Sequence, residues 1–175
     1  MADIHVRALT DGDWELFRSV RLRALEESPE AFVADHASEA DEPEGFWHDR
    51  LARSQRLLAE VDDAPVGIVS LGPVDDRPEA GQIFGLWVDP ALRGSGVATA
   101  LVRACVEAAG AAGKEHVLYW VGTDNGRAVA FASGFGFRPT SERRPMRVAS
   151  EADGEEEIAM DLPIDQTVTG NAPRA

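Results

Sequence analysis

The chain has 175 residues, room for one domain with a sizeable core, and 44% of them are apolar, which excludes a compositionally disordered protein. Acidic side chains outnumber basic ones 31 to 17, for a formal charge of −14. That balance weighs against nucleic acid or an anionic membrane surface as partner, although backbone amides at a helix start can still bind a small anion.

Ile4 to Ala8 alternates apolar and polar residues, as a short strand does. Thr10 follows as an N-cap, with Asp11 and Asp13 suited to the first turn of a helix. That helix carries Trp14, Phe17, Val20, Leu22 and Leu25 inward and stops before Pro29. Residues 28–44 are acidic and read as an irregular connection, and a second helix starts near Pro43 with Phe46, Trp47 and Leu51 on one side. Two strands, Arg56–Val61 and Pro65–Leu71, are joined by a hairpin signal at Asp62-Asp63-Ala64. Gly72-Pro73 and residues 75–78 read as a turn-rich excursion. Gln82–Val88 is the most apolar strand, and Gly85 inside it signals a bulge or a close backbone approach. Asp89-Pro90 ends it.

A helix of small residues is expected from Ser95 to Ala112, with Gly113 as its C-cap. His116–Val121 reads as a strand and Asn125–Ser133 as a short helix; Gly136–Val148 and Glu155–Leu162 read as a final hairpin. The order β-α-α-β-β-β-α-β-α-β-β is that of an α/β domain with a mixed sheet. We expect a single domain over residues 1–163 and a disordered tail over 164–175.

Cys105 is the only cysteine, so neither an intrachain disulfide nor a cysteine cluster can form. Its neighbours Ala104 and Val106 mark a buried helical thiol. His5, His36, His48 and His116 are scattered, and no metal site is expected. No apolar run approaches the roughly 18 residues of a membrane span, and the polar start is not a secretory signal. A cytoplasmic protein is the expectation.

The sharpest segment is Val88-Asp89-Pro90-Ala91-Leu92-Arg93-Gly94-Ser95-Gly96-Val97-Ala98-Thr99, between a buried strand and a helix. Two glycines at a helix start let the backbone approach a ligand, and the unpaired N–H groups with the helix dipole suit a pyrophosphate. An ordinary strand–helix turn would use the same Gly-Ser-Gly. A Walker A loop needs a lysine that this turn lacks. A dinucleotide fingerprint needs a third glycine where Thr99 stands and a strand feeding straight into the turn; here residues 89–92 intervene.

Arg93-Gly94-Ser95-Gly96-Val97-Ala98 resembles the [QR]-x-x-G-x-[GA] loop of the GCN5-related N-acetyltransferases (GNAT). Leu86-Trp87-Val88-Asp89-Pro90 is similar to the exit of that family's fourth strand. Asn125-Gly126-Arg127-Ala128 and Gly136-Phe137-Arg138 resemble its N-x-x-A…G-F stretch, and residues 21–32 look like the first helix of many bacterial members. The resemblance covers roughly residues 4–162 in order. It implies a GNAT fold, a mixed and mostly antiparallel sheet splayed at its fourth and fifth strands with flanking helices. It further implies acetyl-CoA as cosubstrate, with the pyrophosphate on the amides of Arg93, Gly94, Ser95, Gly96, Val97 and Ala98. The pantetheine arm would pair with backbone near Leu86 and Val88, with Asn125 beside it and Phe131 packed along it. Asn125 also reads as a helix N-cap, and Phe131 as core.

The chain departs from the family pattern at both proton-transfer positions. Many relatives carry a tyrosine eight positions into the N-x-x-A motif; here that residue is Ala132, with Ser133 adjacent. The only tyrosine, Tyr119, lies on the preceding strand. Where some members place a basic glutamate on the fourth strand this chain has Gln82, with Glu79 just upstream. Gln82, Glu79, Tyr119 and Ser133 are therefore the residues to test for proton transfer. The Val88 N–H is a donor for the thioester carbonyl. The resemblance predicts direct transfer of an acetyl group from acetyl-CoA to a primary amine in a ternary complex, possible because proximity itself supplies much of the rate. The alternatives are a non-catalytic acyl-CoA-binding sensor or scaffold, or a member that moves a different acyl group. The acidic run holding Asp35, His36, Glu39, Asp41 and Glu42 reads as solvated surface or as a lure for a cationic acceptor. A homodimer is a further expectation.

Overall fold

Strands β1 (Ile4–Ala8), β2 (Gln55–Val61), β3 (Ala64–Val74), β4 (Arg77–Val88), β5 (His116–Gly122), β6 (Arg138–Pro145) and β7 (Glu156–Pro163) form one sheet in the order β1-β2-β3-β4-β5-β7-β6. The computed structural model describes residues 3–145 and 156–164, with only the backbone of Glu30. The β4–β5 pair is parallel and the other pairs are antiparallel. This is the expected mixed sheet.

Helices α1 (Trp14–Glu27), α2 (His36–Ala40) and α3 (Glu44–Arg53) lie on one face, while α4 (Val97–Ala111) and α5 (Gly126–Phe135) lie on the other. Side chains alternate across a strand, so β2 sends Leu58 to the first face and Leu57 and Ala59 to the second. The first core joins Phe17, Val20, Leu25 and Trp47 to Leu58, Ile68 and Trp87; the second joins Val97, Leu101, Val102 and Cys105 to Leu57, Val69, Ile83 and Val117. Helix α4 sits close because β3 offers Gly67, where an added Cβ would lie 3.0 Å from Leu101, Val97 and the Trp87 carbonyl oxygen. Among the described residues no helix is long and apolar enough to cross a membrane.

Two expectations from local composition are corrected. Gly72 and Pro73 are not an excursion: β3 runs on to Val74, pairs Gly72 with Gln82, and turns only at Asp75-Asp76. Pro73 lies past the end of β2, whose Gln55 faces Leu71, so it stands on a locally open edge where proline is tolerated. Residues 28–44 are not irregular throughout either. A 3-10 turn covers Pro29–Ala31, and Asp35 caps α2 by accepting from the Ser38 N–H at 2.9 Å.

Smaller shifts occur at the element ends. Thr10 and Asp13 form a capping box over a 3-10 turn before α1, and α4 begins at Val97 rather than Ser95. The Asp62-Asp63 hairpin is present, with both residues at positive φ. Strands β6 and β7 pair antiparallel as expected, but their connection, residues 146–155, lies outside the described residues. Of the expected tail, Ile164 is tied to the sheet by its N–H to the Glu115 carbonyl (2.8 Å), and residues 165–175 lie outside the described residues.

Candidate active site

The site is built where β4 leaves its neighbours. Between the pairs Ile68–Trp87 and Ser70–Phe84, β3 contributes one residue and β4 two, so β4 bulges at Gly85, whose φ is +64°. The inserted residue puts Phe84 and Trp87, three positions apart, on the α1 face. On the other side, β4 pairs with β5 only from Ala80–His116 to Ile83–Tyr119. Beyond that rung the strands part, leaving residues 84–88 without a β5 partner. An open strand edge of this kind offers backbone groups to an extended ligand.

The exit from β4 is held in three ways. The Asp89 N–H donates to the Val66 carbonyl at 2.8 Å. The Asp89 carboxylate accepts from the Ala91 N–H at 3.0 Å and pairs with Arg23 of α1, and these contacts, the Ala91 amide first, hold its pKa below the ordinary value. Arg93 reaches back with Nε to the Val88 carbonyl (3.3 Å) and Nη2 to Ser28 Oγ (3.2 Å).

Within the turn, the Arg93 and Ser95 N–H groups donate to the carbonyls of Pro90 (3.5 Å) and Leu92 (3.2 Å). These two amides of the expected cradle are therefore engaged locally. The first intrahelical bond of α4 runs from the Ala100 N–H to the Gly96 carbonyl (3.0 Å), so Val97, Ala98 and Thr99 present amides with no intrahelical acceptor. Gly94 and Gly96 have φ of +83° and +96°. A Cβ at Gly94 would meet nothing within 4 Å, and one at Gly96 only Ile4 Cδ1 at 3.9 Å, so the space over the turn is open. Orphan amides, the positive end of α4 and an open approach fit a pyrophosphate.

A cavity of about 730 Å³ lies beside the bulge, between β4, β5 and the α1–α3 face. Gln82, Leu86 and Tyr119 line it. Tyr119 stands on the last rung before β4 and β5 part, its ring edge-on to Phe137 at 6.0 Å, and burial raises its phenol pKa. Gln82 spends Nε2 on the Pro73 carbonyl at 3.0 Å.

Other expected residues sit elsewhere. Glu79 is exposed near the opposite end of β4, with its backbone carbonyl taking the Glu115 N–H, and it is not part of the cavity wall. Ser133 is exposed on α5 and also outside that wall, because its neighbour Ala132 is the residue turned into the core. Asn125 caps α5, accepting from the Ala128 N–H at 3.1 Å, and Phe131 is half-buried against the second core. Val88 is buried.

The wall also holds residues that the sequence reading passed over. Arg21, Arg50, Arg53, Arg56 and Arg144 line it together with Glu157, which pairs with Arg144 at 2.7 Å. Behind them Glu39 is buried, and it takes Nε and Nη2 of Arg21 at 3.1 Å each and both terminal nitrogens of Arg50 at 3.4 Å. One signal was available: Arg56 shares its strand face with Leu58, a core parity unusual for arginine. The acidic segment contributes Ala31, Phe32, Val33 and Ala34 to the wall, while Asp35, His36, Glu39, Asp41 and Glu42 are not part of it.

Comparison with known proteins gives a consistent family. The model of the acetyltransferase (GNAT) family matches residues 18–137. The chain is 35% identical over 86 residues to an uncharacterized N-acetyltransferase of Methanocaldococcus jannaschii, covering 46% of this chain and 38% of that one. It is 36% identical over 88 residues to N-acetyltransferase 8 of Homo sapiens, covering 49% and 39%. The match thus spans less than half the length of these curated relatives. Among solved structures, yncA of Salmonella typhimurium, determined with acetyl-CoA, superposes with a TM-score of 0.72 at 19% identity over 98% of both chains. The ribosomal-protein-S18-alanine N-acetyltransferase of Escherichia coli gives 0.65 at 20% identity, over 93% of this chain and 95% of that one. At such identities the superpositions speak for the fold.

Proposed function

Because the chain belongs to the acetyltransferase (GNAT) family, whose model spans residues 18–137, we propose that it transfers an acetyl group from acetyl-CoA to a primary amine by direct attack in a ternary complex. The observation that carries this reading is the junction of an unpaired β4 edge at residues 84–88 with the open, amide-rich start of α4. The amides of Gly94, Gly96, Val97 and Ala98 hold the pyrophosphate, and backbone near Leu86 and Val88 takes the arm that follows. Asn125 and Phe131 flank it from α5.

In the reaction the amine nitrogen bonds to the acetyl carbon, the carbon–sulfur bond breaks, and the amine loses a proton while the departing sulfur gains one. Tyr119 is the donor to that sulfur. Burial raises its pKa, so the phenol holds its proton at neutral pH and yields it only to the basic thiolate that forms as the carbon–sulfur bond breaks. Gln82, unable to take a proton itself, orients the water that accepts from the amine. Neither Glu79 nor Ser133 has a proton-transfer role in this reading. The buried Cys105, its thiol pushed up to about 12, offers no covalent route. Cytoplasmic location, a bacterial source, a homodimer and a single domain over 1–163 remain parts of the same proposal.

A second reading is favoured by one observation: at the position of the usual tyrosine stands Ala132, wholly buried. It is a non-catalytic acyl-CoA-binding module. Thiol release from acetyl-CoA over a panel of primary amines separates the two. Turnover on an amine, lowered on the order of 10²-fold in kcat by Tyr119→Phe with KM little changed, supports the enzyme. Saturable acetyl-CoA binding with no amine raising the rate above hydrolysis supports the module.

A further inference from the structure

The cavity carries the opposite sign to the protein. Among the described residues five arginines of its wall meet two carboxylates, Glu157 in the wall and Glu39 behind it, a surplus of three positive charges in a chain of net charge −14. Glu39 is already shared between Arg21 and Arg50, and Glu157 belongs to Arg144. Among the described residues Arg56 has no carboxylate at ion-pairing distance, and Glu39 acts on it only from farther off.

That arginine is only 8% exposed. Its guanidinium lies between the rings of Phe17 and Phe84, 5.2 and 5.3 Å from their centroids. Nη1 donates to Ser70 Oγ at 2.6 Å and Nη2 to the Arg50 carbonyl at 3.2 Å, while Nε is buried without a partner. Two of five N–H donors are thus engaged. A buried cation without a counter-ion is costly, and a ligand that brings the missing charge removes that cost.

Its place is set by the sheet. Arg56 pairs with Ser70, and Ser70 with Phe84, so the three form one row across β2, β3 and β4 beside the Gly85 bulge. We propose that the acceptor amine also carries a carboxylate, which Arg56 receives between Phe17 and Phe84 while the amine faces the split between β4 and β5. This rests on the reading of the chain as an amine acetyltransferase. The planar fork of a guanidinium matches the two oxygens of a carboxylate. Burial, and after it the neighbouring Arg50, Arg21 and Arg53, lower the pKa of Arg56 to about 10 against an opposing pull from Glu39. Polyamines are disfavoured by the same field.

The test uses the full chain with acetyl-CoA and free amino acids, both α- and ω-amino, each beside its carboxamide, with linear diamines as a third set. The expected result is a kcat/KM about 100-fold higher for at least one amino acid than for its carboxamide or any diamine. In Arg56→Gln the KM for that acid rises by a similar factor and the acid–amide preference collapses, while the KM for acetyl-CoA holds and Arg56→Lys recovers part of the loss. Carboxamides or diamines that serve as well as the acids in the native enzyme overturn the proposal, as does a parallel loss on acids and amides in Arg56→Gln.

If no amine is acetylated, the transferase reading fails and the carboxylate site is read by binding alone. Calorimetry with 3-phenylpropionate should then show saturable binding to the native chain that is lost in Arg56→Gln. Absence of binding, or equal binding by 3-phenylpropionamide, overturns the site.

Discussion

Glu39 is the residue whose role differs most from its place in an acidic run, and Glu39→Gln measures that role. The carboxylate is buried with a side-chain exposure of 4%, and it accepts four guanidinium contacts at 3.1 to 3.4 Å from Arg21 and Arg50. Glutamine keeps the shape and one accepting oxygen but removes the charge. Two guanidiniums, 16% and 23% exposed, are then left against each other and against Arg56. Removing one partner of a buried ion pair costs about 3–5 kcal/mol, and the residual access of water to both arginines puts this case near the lower end. With a urea dependence of about 2 kcal/mol per molar, a loss of about 3 kcal/mol moves the unfolding midpoint down by about 1.5 M. Because the carboxylate is buried and both arginines are mostly so, 1 M salt should reduce the difference little. A midpoint shift below about 0.4 M, or one erased by salt, would show that Glu39 is surface charge and refute the account of the cavity built on it.

Gly96→Glu should weaken acetyl-CoA binding at least 100-fold by calorimetry, because it places an anion over the amides of Val97 and Ala98 at a φ of +96°; unchanged affinity would remove the assignment of the turn. Cys105 gives a pH signature. Burial raises its folded pKa from 9.0 to about 12, so above pH 9 the unfolded chain ionises first and stability falls as pH rises. Between pH 8 and 10 the native chain should lose about 1 kcal/mol more urea stability than Cys105→Ala, and parallel profiles would contradict the burial. Asn125→Ala should cost about 1 kcal/mol through the lost cap on α5 in the same unfolding assay.

The strand–turn–helix that carries the cofactor reading is legible because its determinants are local. Asp89-Pro90 stops a strand, Gly94 and Gly96 accept positive φ, and Gly85 accepts the bulge; each signal sits in the residue that uses it. Gly72-Pro73 misled for the complementary reason. Both are turn formers in isolation, and only the end of β2 at Gln55 makes the edge on which a strand tolerates them. Likewise, Ser133 and Glu79 stand next to positions that matter in sequence, yet the helix turn and the strand direction carry both outside the cavity wall.

Charge shows the division most sharply. The sequence alone determined that the chain is strongly acidic, and that a glycine-flanked helix start offers its amides to an anion. Which charges meet is a matter of packing. Arg21, Glu39, Arg50 and Arg56 come from α1, α2, α3 and β2, and only the folding of those elements over one face of the sheet puts them around a single cavity. Coulomb energies depend on separation and burial, not on the count of side chains, so a chain of −14 can hold an unneutralised cation at its core.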